Sequence, residues 1–83
     1  MASDFQSKVI KEYEDKGYIV LKTIRLSRSG LPDLMCLKDG KTIWIEVKEP
    51  TDTLKKLQKY WIDRLRLDGF EAFCLQKGKG KIY

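Results

Sequence analysis

The chain has 83 residues and a formal net charge of +5, and it is 42% hydrophobic and 35% charged. That length supports one domain over residues 1–83 around a single modest core, and that balance is globular rather than disordered. No run approaches the roughly 20 apolar residues of a membrane span, Met1-Ala2-Ser3-Asp4 lacks the basic start and apolar stretch of a secretion signal, and the basic excess favours polyanionic partners.

Ser3 and Gln6 form a capping-box pattern that opens a helix. Phe5, Val9, Ile10 and Tyr13 recur at helical spacing, and Gly17 ends the helix. By helical rotation Gln6 falls on the apolar face and Glu12 near its edge, as a solvated flank. Tyr18 to Ile24 is rich in β-branched and aromatic residues and reads as a first strand. Arg25 to Leu31 is a loop with two arginines, two serines and Gly30. Asp33 to Lys38 reads as a second strand and Thr42 to Lys48 as a third, joined across Asp39-Gly40, a strong hairpin signal. Pro50 stops the sheet, and Thr51 or Thr53 is placed to cap a second helix with Leu54, Leu57, Trp61 and Leu65 as its apolar stripe. Gly69 ends that helix, Phe70 to Leu75 is a fourth strand, and Gln76 to Tyr83 is a lysine-glycine tail. The order is α-β-β-β-α-β.

Histidine is absent, which excludes triad hydrolases and nucleases that rely on a histidine base or ligand. The two cysteines, Cys36 and Cys74, lie in separate apolar runs. Without further ligands they make no zinc site. They read as buried free thiols in a reducing cytoplasm, a disulfide between them being the alternative.

The densest chemical signal is Pro32-Asp33, twelve residues, then Glu46-Val47-Lys48. A hairpin closed by Asp39-Gly40 pairs Lys38 with Lys41, and stepping outward it places Leu37 opposite Thr42, Met35 opposite Trp44 and Asp33 opposite Glu46. Directly opposed residues have Cβ atoms about 4.5–5.5 Å apart. Two carboxylates that close repel by roughly 3 kcal/mol at an effective dielectric near 20, a conflict that a divalent cation resolves. The strand pleat puts Lys48 on the same face as Glu46, where it can orient water or stabilise charge on a phosphate. The Val47 carbonyl is a further candidate ligand. Gln58, one turn after Leu54, and Gln6 are placed to face the same pocket. Each residue also has a bland reading: Asp33 as a turn residue, Glu46 and Lys48 as edge-strand charges, the glutamines as ordinary helix-border residues. Arg25, Arg28, Lys77, Lys79 and Lys81 are candidates for phosphate contacts, with a solvated loop and a frayed tail as the alternative. Trp44 and Trp61 fall in apolar patterns and read as core.

Pro32-Asp33…Glu46-Val47-Lys48 within α-β-β-β-α-β resembles the PD-(D/E)XK nuclease superfamily. Ser29-Gly30-Leu31-Pro32-Asp33-Leu34, Ile45-Glu46-Val47-Lys48 and the downstream Gln58 look like its VRR-NUC branch, in particular the short stand-alone viral and phage members. The resemblance covers nearly the whole chain. It implies a restriction-endonuclease-like α/β core with a mixed four-stranded sheet flanked by helices. It also implies Mg²⁺ or Mn²⁺ held by Asp33, Glu46 and the Val47 carbonyl, Lys48 as catalytic lysine, and Gln58 as an active-site residue. Many superfamily members carry a glutamate on the first helix; Gln6 stands there here, a departure that bears on the number of metals. The implied activity is a structure-selective DNA endonuclease on branched DNA such as Holliday junctions. It would act as a homodimer in the cytoplasm of a bacterium or a phage-infected cell. Flap or other DNA nuclease activity, or a non-catalytic DNA-binding module with the same fold, is the alternative.

Overall fold

The computed structural model describes residues 4–83. The chain runs α1 (Asp4–Asp15), β1 (Ile19–Lys22), β2 (Leu34–Lys38), β3 (Lys41–Lys48), α2 (Lys56–Leu67), β4 (Glu71–Gln76) and β5 (Gly80–Lys81). The Ser3 end of the expected capping box lies outside the described residues.

Asp39 and Gly40 set the register. Both have positive φ, 51° and 75°, as a two-residue type I′ hairpin requires. Lys38 then pairs with Lys41, Leu37 with Thr42, Met35 with Trp44 and Leu34 with Ile45, the register the turn predicts. β1 adds antiparallel to β2. β3 leads through α2 to β4, which returns parallel to β3, the pairing that needs a crossover connection.

The sheet has five strands in the order β1-β2-β3-β4-β5, not four. The expected tail turns back at Lys77–Lys79 and pairs antiparallel with β4, Gln76 opposite Gly80 and Leu75 opposite Lys81. A two-residue polar strand has no period to read, so only its partner reveals it.

The helices divide the two faces. Val9 of α1 is buried with Leu34, Cys36, Ile43, Ile45 and Phe73, and Phe5, Ile10 and Tyr13 pack onto that cluster. On the other face Ile62 of α2 is buried with Ala72 and Cys74, and Trp44, Leu54 and Leu65 pack around them. Both tryptophans are half-buried. Cys36 and Cys74 are buried free thiols on opposite faces, and burial pushes both up to about 11.

Two expectations about α2 are corrected. Neither Thr51 nor Thr53 caps it: the N-cap is Lys55, whose main-chain N–H donates to Gln58 Oε1 at 2.9 Å. The apolar stripe also turns. Ile62 is fully buried, while Leu57 is 48% exposed. Leu57 lies instead on Gly30 of the β1–β2 loop, so close that a Cβ there would meet its Cγ at 2.6 Å. Gly30 has φ +86° as well, so the position demands glycine on two counts.

Candidate active site

The site sits where β2 stops and β3 continues. Asp33 is the last residue before β2, and Pro32 ahead of it is fully buried, its carbonyl accepting from the Thr23 hydroxyl. Asp33 Oδ2 accepts a hydrogen bond from the Val47 N–H at 3.0 Å, which aims its carboxylate along β3. A strand residue directs its N–H and C=O to the same side, so the Val47 carbonyl faces that gap too. The Lys48 carbonyl faces the other way, accepting from the Lys77 N–H at 2.9 Å.

Glu46 and Lys48 lie on the α2 face, 3% and 8% exposed. Lys48 Nζ stands 3.3 Å from Glu46 Oε2, and Gln58 Nε2 donates to the same oxygen at 3.3 Å. Gln58 thus ties the first turn of α2 to Glu46 with one end of its amide and to the Lys55 N–H with the other. Burial pushes the Glu46 carboxyl up to about 7; the neighbouring Asp33 charge pushes the same way, and the Lys48 ammonium pulls against both. Asp33 therefore lies near enough to Glu46 to raise its carboxyl, and Lys48 stands beside Glu46.

Glu46 Oε1 is buried and has no hydrogen-bond partner, an arrangement that ordinarily costs about 1–3 kcal/mol or more. Such an oxygen, the Asp33 carboxylate and the Val47 carbonyl are the hard donors a divalent cation prefers. Among the described residues no three or more His, Cys, Asp or Glu side chains converge to hold a metal. The donor set fits a cation that keeps several waters and binds through one or two carboxylates, as Mg²⁺ does.

The remaining candidates lie around this centre. Gln6 is half-buried on α1, the helix of the other face. Glu12 is exposed and pairs with Lys16 at 3.4 Å. Arg25 and Arg28 are exposed in the β1–β2 loop, Arg28 lying 5.7 Å from the centre of the Trp61 ring. Lys77 and Lys79 are exposed in the β4–β5 turn. Lys81 is turned away from the carboxylates, its Nζ 4.8 Å from the Phe73 ring of the α1-side cluster.

The expected elements omit one residue of the site's surroundings. Gln76, 4% exposed, pairs in register with Lys48. Its Nε2 reaches the carbonyl oxygens of Glu49 at 2.9 Å, Pro50 at 3.3 Å and Asp52 at 2.8 Å, holding the loop that joins Lys48 to α2. A glutamine ending an apolar run was the available signal, but parallel register cannot be counted across a crossover.

The VRR-NUC domain family matches residues 3–77. The chain belongs to that family. A solved VRR-NUC domain superposes with a TM-score of 0.72 at 30% identity, over 83% of this chain and 76% of that one. The chain is also 31% identical over 87 residues to the crossover junction endodeoxyribonuclease Hjc of Sulfurisphaera tokodaii. That alignment takes in 98% of this VRR-NUC chain but only 55% of the relative, so the chain spans little more than half the relative's length. Archaeoglobus fulgidus Hjc, a Holliday junction resolvase from an archaeal hyperthermophile, shares the fold: TM-score 0.63, 20% identity, 86% of this chain and 65% of that one. Nucleases of this kind are generally dependent on a divalent metal. Among the described residues no helix is long and apolar enough to cross a membrane.

Proposed function

We propose that the protein is a divalent-metal-dependent endonuclease that hydrolyses phosphodiester bonds in branched DNA, with four-way junctions as its leading substrate. The observation that carries the reading is the cluster around Glu46: an Asp33 charge near enough to raise its carboxyl, a lysine Nζ 3.3 Å away, and a buried oxygen with nothing bonded to it.

Asp33, Glu46 and the Val47 carbonyl would hold the cation, Mg²⁺ or Mn²⁺, which would supply a Lewis acid for the phosphate and lower the pKa of water. The Val47 N–H keeps Asp33 aimed, and Gln58 keeps Glu46 aimed. Lys48 stabilises negative charge as it develops on the phosphate. Arg25, Arg28 and Lys77 neutralise neighbouring duplex phosphates without reading sequence. Paired cuts in a four-way junction need two sites related by a two-fold axis, and a chain with one site supplies them by forming a homodimer.

The test is a nicking assay on synthetic junctions, flaps and linear duplex with Mg²⁺ or Mn²⁺. The protein cuts the branched forms preferentially, and Lys48→Ala lowers the rate by about 100-fold or more while leaving binding largely intact. Equal cutting in EDTA contradicts the mechanism.

A further inference from the structure

A second feature lies one strand away from the lysine. A cleft of about 490 Å³ opens between the segment Pro50–Leu54 and the chain end around Lys79 and Tyr83. That volume is in the range of ligand sites, roughly 300–1,000 Å³. Gln76 is part of its lining, and Gln76 is the register neighbour of Lys48. Adjacent strands are about 4.8 Å apart, so the cleft begins beside the candidate active site. Its wall is the loop that follows Lys48, fixed by the three carbonyl contacts of the Gln76 amide.

Its lining carries two lysines against one acid, and a second acid, Asp63, accepts from the hydroxyl of the lining Tyr83. Lys59 and Lys79 line it, and Lys55, Lys56 and Lys77 are exposed next to them in the chain. The acidic residue of the lining, Asp52, has one carboxylate oxygen engaged by the Glu49 N–H at 3.2 Å. α2 carries no acidic residue in its first turn, although acids are favoured there and lysines are not. Helix stability therefore does not explain these lysines, whereas a polyanion beside them does. The hydroxyls of Thr51 and Thr53 add uncharged donors to the same wall. Arg25 and Arg28 belong to the loop whose Gly30 meets Leu57, so basic groups are presented both by that loop and by the cleft.

We propose that the cleft receives the sugar–phosphate backbone of an unpaired DNA strand where it leaves the candidate active site. The inference rests on the nuclease reading and concerns the branched forms that carry a single-stranded arm, forks and flaps; a four-way junction, whose arms are all paired, leaves the cleft empty. A base-paired strand is held to its duplex, whereas a freed strand can bend into a basic groove that tracks its backbone.

The test is fluorescence anisotropy in EDTA, with a labelled fork bearing one single-stranded arm and a blunt duplex of equal length. Wild type is compared with Lys59→Ala/Lys79→Ala, two exposed positions outside the core. The double variant binds the fork about tenfold more weakly. Its salt dependence on the fork becomes shallower by about 1.4 in log–log slope, two contacts at about 0.7 each, and its affinity for blunt duplex stays within about twofold. An equal loss on both substrates, or none on the fork, overturns the cleft assignment. If wild type still nicks branched DNA in that case, the nuclease reading stands. A wild type that binds neither substrate in EDTA and nicks neither with Mg²⁺ or Mn²⁺ overturns both.

Discussion

The two faces of β3 are built to opposite ends. Toward α1 the strand presents Ile43, Ile45 and Val47, packed on Val9, Leu34, Cys36 and Phe73. Toward α2 it presents Trp44, then Glu46 and Lys48, buried almost as deeply. The first face gains from removing apolar surface from water, about 25 cal/mol per Å². The second buries an ion pair, whose desolvation can exceed its Coulombic gain. One strand therefore carries both a large part of the core and the candidate site, separated only by the alternation of side chains. The apolar face anchors the strand in the core while the polar face buries charges that cost stability.

Breaking the apolar face has the largest effect. Ile45→Ala lowers stability by about 3 kcal/mol in urea unfolding, because the position is fully enclosed. The polar face responds in the opposite direction: Glu46→Leu combined with Lys48→Met raises stability by roughly 1–3 kcal/mol while removing activity. A double variant less stable than wild type would mean that the pair serves the fold. Gly30→Ala costs roughly 1–2 kcal/mol from its positive φ, with the clash against Leu57 added. Adding Leu57→Ala to the same chain recovers the clash but not the backbone cost. The mildest probe is chemical. Cys36 and Cys74, on opposite faces, are both pushed up to about 11, so neither reacts with a thiol reagent at pH 8 until the protein is unfolded. Selective labelling of Cys74 would show that the α2 face admits solvent and sharpen the contrast.

What was legible in the chain follows the range of each signal. Asp39-Gly40 is a local turn with one allowed geometry, and counting by two from it places Asp33 and Glu46 together. The same local reasoning failed where a distant partner decided the outcome. Leu57 fits an apolar stripe, but Gly30 draws it onto the loop and leaves Ile62 to fill the core. Thr51 and Thr53 are good caps, but Gln76 holds the preceding loop from β4, and the helix starts at Lys55 with Gln58 as its reciprocal partner. Gln58 was recognisable as a candidate for the site, but not its grip on Glu46, because that depends on where α2 begins. The Lys48–Gln76 adjacency depends on parallel pairing across a crossover, which no periodicity encodes.

The most direct measurement is a Mn²⁺ titration of the Lys48→Ala protein bound to a synthetic junction, which presents substrate without cutting it. It is repeated with Glu46→Gln and with Asp33→Asn in the same background. The convergence of Asp33 and Glu46 predicts saturable Mn²⁺ binding that either carboxylate change removes or greatly weakens. Binding that survives both changes unaltered would contradict a metal site between these residues and leave the nuclease mechanism without its foundation.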